Sequence, residues 1–197
     1  MLLKSFTALA ATATLATAAS GQVIQPGPVT ASVDGTGNTY ALITSEVFSA
    51  EDFGITSEID RFEVQVDFTD VVSPSFTQIV GALVYDNPFS PGVDAFTQID
   101  GFKAGSGDSF LGDGSGSLQF TYSLTDLAST ASLAVDSWNE QLLNPGQTVK
   151  FEMFINNNGA SQGTFTVSNI TAVPVPEPAS AALLGLGSLA LLRRSRG

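Results

Sequence analysis

Arg61-Phe62-Glu63-Val64-Gln65-Val66-Asp67-Phe68-Thr69 alternates apolar and polar side chains without interruption. Successive side chains of a strand leave on opposite sides, so Phe62, Val64, Val66 and Phe68 share one face while Arg61, Glu63, Gln65 and Asp67 share the other. The segment therefore reads as a half-buried strand. Similar runs occupy Thr39 to Val47, Phe76 to Tyr85, Ser117 to Ser123, Val149 to Ile155 and Thr164 to Thr171. Turn-forming residues bound them, among them Asp34-Gly35, Asp113-Gly114, Asn144-Pro145-Gly146 and Asn158-Gly159. Short strands in such succession predict an all-β domain, an antiparallel β-sandwich or jelly roll.

Leu133 to Leu143 is ambiguous. Leu133, Val135 and Trp138 suit a strand, whereas Leu133, Val135, Trp138 and Leu142 also lie near helical spacing; both readings stay open, with strand ahead. Trp138 is first of all a packing residue. Its alternative role is that of an exposed ring stacking on a sugar, which makes it the candidate ligand-binding residue. Tyr40, Tyr85 and Tyr122 carry the same two readings.

The outer segments differ in kind. Lys4 precedes an apolar, threonine-rich stretch from Ser5 to Ala19, which ends in small residues before Gly21-Gln22. That is the build of a secretion signal over residues 1–21, a signal helix cleaved after Ala18, Ala19 or Gly21. At the other end Pro176-Glu177-Pro178 is followed by an apolar run from Ala179 to Leu192 and by Arg193, Arg194 and Arg196. The prolines hold an extended, protease-accessible linker. The fourteen residues of this run make a C-terminal apolar helix of ~21 Å, short of the ~30 Å hydrocarbon core. Snorkelling arginines make so short a span tolerable and keep their own end in the cytoplasm, leaving the domain of residues 22–172 outside.

These three parts, in this order, resemble the PEP-CTERM sorting signal of bacterial exported proteins, the substrates of exosortases. The resemblance covers residues 173–197 only. It implies export through the general secretion machinery, with signal peptidase at the N-terminus, and transient retention in the inner membrane through residues 179–192. It further implies cleavage by an exosortase near Pro176, Glu177 and Pro178, then delivery to the cell surface or extracellular matrix, often in company with exopolysaccharide and biofilm production.

Composition narrows what the domain can do. The chain has neither histidine nor cysteine, which removes the common general base, the Ser-His and Cys-His nucleophile pairs and any ordinary zinc site. Only carboxylate chemistry remains for an enzyme, and nothing selects a pair such as Glu51 with Glu58. Of nineteen acids only Glu177 lies in the tail, and the bases between the two ends are Arg61, Lys103 and Lys150, giving the domain a charge of about −15. Such a surface repels phosphates, so no nucleic-acid partner is expected. No cofactor is expected either. Ca²⁺ is the one ion the acidity suits, yet the glycine-rich stretch Gly101 to Ser117, with Asp108 and Asp113, lacks the ligand order of a calcium loop and reads as a flexible connection. The leading expectation is a non-catalytic structural protein of the surface or matrix; the alternative is a module binding extracellular polysaccharide, with or without Ca²⁺.

Overall fold

The computed structural model describes residues 21–25, 27–34, 37–72, 78–90, 92–103, 113–125, 129–159 and 162–175. The expected signal helix, the glycine-rich stretch from 104 to 112 and the tail from Pro176 onward lie outside the described residues. Residues from Ala19 to Val175 form one compact unit.

Among its described residues are ten strands and two helices. In chain order they are β1 (Gln22–Gln25), β2 (Val29–Asp34), β3 (Gly37–Phe48), α1 (Ala50–Phe53), β4 (Ile59–Val72) and β5 (Gln78–Asp86). There follow β6 (Asp94–Asp100), β7 (Phe102–Lys103), β8 (Gly114–Ser123), α2 (Ser129–Leu143), β9 (Val149–Gly159) and β10 (Gln162–Pro174). The first sheet has the order β1-β10-β4-β8-β7, with β2 also on β10; the second has the order β3-β9-β5-β6. Every pairing is antiparallel. With the short β1 and β7 set aside, the remaining eight strands lie 1-8-3-6 in one sheet and 2-7-4-5 in the other, so the chain passes repeatedly between layers.

The alternation in β4 lands as the sequence predicts: Phe62, Val64, Val66 and Phe68 are buried and the residues between them are partly exposed. At Thr69 the phase breaks. Thr69 and Asp70 are both exposed, Asp70 takes a left-handed φ of 55°, and its N–H donates to Ser115 Oγ at 2.9 Å. An aspartate tolerates that conformation better than most residues. The bulge returns Val71 to the core.

The sheets meet through aromatic rings. Phe62 of β4 stacks on Phe151 of β9 with centroids 3.9 Å apart, and Trp138 meets both Phe48 and Phe62 edge-on at 5.9 and 5.8 Å. Each such ring, fully buried, contributes on the order of 1.5–3 kcal/mol. Tyr122 of β8 crosses between the layers, its hydroxyl donating to the Ile79 carbonyl of β5 at 3.1 Å. Burial pushes its phenol well above the ordinary range. Two glycines make room for that ring: a methyl at Gly101 would overlap it, and one at Gly81 would lie 2.9 Å from it and 3.0 Å from Phe151.

The segment from Leu133 to Leu143, which fits both readings with strand ahead, is part of α2 and so takes the helical one. Its buried residues are Val135, Trp138, Asn139 and Leu142, spaced by three, four and seven as one helix face requires. Leu133, which belongs to both readings, is 70% exposed. The helix is fastened by Asn139 Oδ1, which accepts from the Ile59 N–H at 2.9 Å, and by Trp138 Nε1, which donates to the Lys150 carbonyl at 3.1 Å.

Candidate functional site

Two surfaces and one junction carry the chemistry. The outward face of the first sheet is a hydroxyl, amide and carboxylate wall. Register aligns Thr30, Thr166, Asp67 and Ser117 in one row across four strands, and Ser32, Thr164 and Thr69 in the next. Thr30 and Thr166 hydroxyls are 2.9 Å apart, and those of Ser32 and Thr164 are 3.0 Å apart. Asp67 accepts from Ser117 and, at 2.7 Å, from Ser168, and these donors hold its carboxyl below the usual aspartate value. Arg61 bridges Asp60 and Glu63, each at 2.9 Å, so the wall satisfies its own polar groups.

The second sheet turns a different face outward. Val80, Ala82 and Val84 of β5 point that way yet are buried, because Phe154 and Phe96 of the neighbouring strands meet edge-on at 5.9 Å. Phe96 nevertheless remains 56% exposed, and Leu42 and Val47 continue the apolar character along β3. Lys150 reaches Asp94 at 2.7 Å, a contact that raises the lysine's proton affinity.

This face runs into a groove where α2 closes one end of the domain. A cavity of about 190 Å³ is lined by Val84, Asp94, Lys150 and Thr148, and an adjoining one of about 470 Å³ by Ser137, Glu140, Asn144 and Pro88. Asp86, Gln141 and Gln147 line both. Gln141 ties the rims together: its Oε1 accepts from the Asp86 N–H at 2.8 Å and its Nε2 donates to the Thr148 carbonyl at 2.7 Å. Beyond Pro88 the β5–β6 turn carries Phe89, 93% exposed. Bonds from Phe89 N–H to Asn87 Oδ1 at 2.9 Å and from Ser90 N–H to the Asn87 carbonyl at 3.0 Å fix that turn. Among the described residues no group of three or more carboxylates is placed to hold a metal ion.

Trp138, expected first to pack and only alternatively to stack on a sugar, is fully buried in the core, so neither face of its ring is open to a ligand. It acts on the groove from below, anchoring α2 to β9. Tyr122 is likewise interior and Tyr85 nearly so. Glu51 and Glu58 line neither cavity. The grooves and Phe89 were not legible as a site beforehand; the available signal was a large aromatic inside Asn87-Pro88-Phe89-Ser90-Pro91-Gly92, a turn segment with no core face to bury it.

The junction is the end of β10. This strand runs to Pro174, past the Ala172 at which the sequence pattern closes the domain. Proline is accommodated because, among the described residues, β1 accompanies β10 only as far as Ala172 and asks for no N–H from Pro174. Val175 is still held: its N–H donates to the Glu58 carbonyl at 2.7 Å and its carbonyl accepts from Ser57 Oγ at 3.1 Å. Pro176, Glu177, Pro178 and the arginines Arg193, Arg194 and Arg196 lie outside the described residues. Among the described residues no helix is long and apolar enough to cross a membrane.

An interior strand that leads straight into a proline-flanked acid and a basic terminus defines a chain with a sorting tail. The family model for the PEP-CTERM protein-sorting motif matches residues 174–196, so the chain carries that motif, beginning at the last residue of β10. The motif implies export, transient sorting at the membrane and an exosortase as processing partner. No curated protein sequence matches the chain. Among solved structures, the infectious bursal disease virus VP2 subviral particle aligns at 11% identity over 97% of this chain and 54% of its own, with a TM-score of 0.17. The infectious bursal disease virus Gx strain aligns at 13% identity over 90% and 48%, with a TM-score of 0.16. The chain thus spans about half the length of those proteins, and likenesses at such scores carry no argument.

Proposed function

We propose that this is an exported, exosortase-processed protein of the cell surface or extracellular matrix whose β-domain is structural and not catalytic. The observation that carries the reading is the sorting motif at residues 174–196 joined without a spacer to β10. A tail that begins where the folded domain ends can be removed after Val175 without unravelling a strand. The 1-8-3-6 and 2-7-4-5 windings suit an all-β sandwich of the jelly-roll kind, a stable module with no demand for a cofactor. The signal segment, residues 1–21, and the apolar run, residues 179–192, fit secretion followed by temporary membrane retention.

Mass spectrometry of the C-terminus recovered from the mature surface fraction tests the processing. Absence of peptides containing Leu192 to Gly197 is expected, and their recovery there refutes cleavage. Glu177→Ala should leave export intact and yield a full-length, membrane-retained species. Lack of turnover across a glycan panel is expected of a non-catalytic domain; reproducible hydrolysis overturns that part.

A further inference from the structure

We infer that the arch of residues 56–58 between α1 and β4 is a docking surface for the enzyme that removes the tail, so that the folded domain is read during processing along with the sorting motif. The inference rests on the reading of the chain as an exosortase substrate. Very little chain separates the fold from the cut. Val175 has both backbone groups engaged, its N–H donating to the Glu58 carbonyl at 2.7 Å and its carbonyl accepting from Ser57 Oγ at 3.1 Å. Pro174 before it is in register with Ile59. Pro176, Glu177 and Pro178 follow at once, and the apolar run begins at Ala179. The four residues from Val175 to Ala179 span at most about 14 Å even when fully extended.

An enzyme that cuts a peptide bond holds extended substrate on both sides of it, much as a sheet edge holds an added strand. With a cut near Pro176, Glu177 and Pro178, the residues on the N-terminal side are Val175 and Pro174, which the domain already holds. The enzyme therefore meets the domain, and it meets first the element that grips Val175. That element is a fixed surface. Ile55 and Ile59 anchor it at either end, 5% and 1% exposed. The Ile55 N–H donates to the Ala50 carbonyl at 2.9 Å, and the Ile59 N–H to Oδ1 of the buried Asn139 in α2 at 2.9 Å. Between the anchors Thr56 and Glu58 are exposed. Arg61 of β4 is engaged by Asp60 and Glu63, so Glu58, in no ion pair among the described residues, carries the charge of the arch. The partner surface it fits is polar and offers a cationic or amide donor to that carboxylate. The competing route is to peel β10 away, which breaks in succession the pairings of Pro174 with Ile59, Val173 with Arg61, and Ala172 with Phe62 and Gln22. A preformed docking surface avoids that cost.

Pulse-chase labelling of the full chain in the producing cells, following loss of the tail, tests the docking surface. Thr56→Arg and Glu58→Arg should each lengthen the half-time of tail removal about tenfold with export unchanged. An insert of about ten Gly and Ser residues between Val175 and Pro176 should abolish that sensitivity, bringing parent and variants to one half-time no shorter than the parent's own. Both substituted side chains are exposed, so unchanged thermal midpoints certify the variants as folded. Parental rates in both arginine variants, slowing that persists behind the insert, or a parent cut faster with the insert than without it overturns the proposal; the last outcome marks the domain as an obstacle to be peeled. A parent whose tail is never removed overturns the processing reading and the docking surface together, and the persistent full-length parent tells that failure from the others.

Discussion

The two sheets share one core but turn unlike faces to solvent. Outside the first are Thr30, Ser32, Asp67, Ser117, Thr164 and Thr166, bonded to one another across the strands. Outside the second, Leu42, Val47, Phe96 and Phe154 stand with Ser45, Lys150, Glu152 and Gln98 around a central strand whose own outward residues are Val80, Ala82 and Val84. An ordinary solvated face on a two-layer domain looks like the first. The second departs from that pattern, and it departs on the side where the groove opens. The difference locates surface with something left to satisfy, which neither the net charge nor the residue inventory could do.

The largest effect should come from the core that both faces share. Phe62→Ala removes the stack on Phe151 and the edge contact to Trp138, and should cost about 3–5 kcal/mol in denaturant unfolding, with the two layers lost in a single transition. Separate transitions would break the premise of one core. Next comes the contrast between the faces: Phe96→Ala should cost about 1 kcal/mol, since its ring covers part of β5 while half exposed, whereas Thr166→Ala should stay within about 0.5 kcal/mol. Equal costs in thermal unfolding would show that the apolar platform packs no better than the hydroxyl wall.

The smallest effect is one of pH, and it separates the sheets by sign. Asp67, on the first, has its proton affinity lowered by the Ser117 and Ser168 hydroxyls, so its contribution is present above about pH 4 and disappears as the carboxyl protonates below that. Lys150, on the second, has its affinity raised by Asp94, so its contribution is present below about pH 10 and disappears as pH rises through the folded value. Thermal midpoints of Asp67→Asn should therefore differ in pH dependence from the parent only on the acid side, and those of Lys150→Met only on the alkaline side. Both groups face water, which limits each effect to below about 0.5 kcal/mol.

Legibility followed the strength of the local pattern. β4 could be read outright because four large apolar residues alternate with four polar ones, and its buried face is the one the sequence names. β6 escaped notice because it inverts that logic: Ala95 and Thr97 are turned inward with Ile99, and the larger Phe96 is turned out. α2 was ambiguous because Leu133 and Leu143 add apolar residues off the buried helix face. Trp138 belonged to that face, and the indole is in the core for that reason. The groove could not be read at all, since Asp86, Glu140 and Asn144 are brought together only by the docking of α2 against β5. The sorting tail needed no fold to be recognised, because its chemistry lies in consecutive residues.

β10 is flanked on one side by β4 and on the other by β1 and β2, and the chain leaves it at Val175 for the sorting tail. Tension transmitted up the tail and directed along this strand would act on two rows of hydrogen bonds in parallel, all of which must slide together before any gives way. A peripheral strand such as β6 would instead unzip one bond after another. Under the proposed retention by the tail, such a pull loads β10 in shear and does not peel it from an edge.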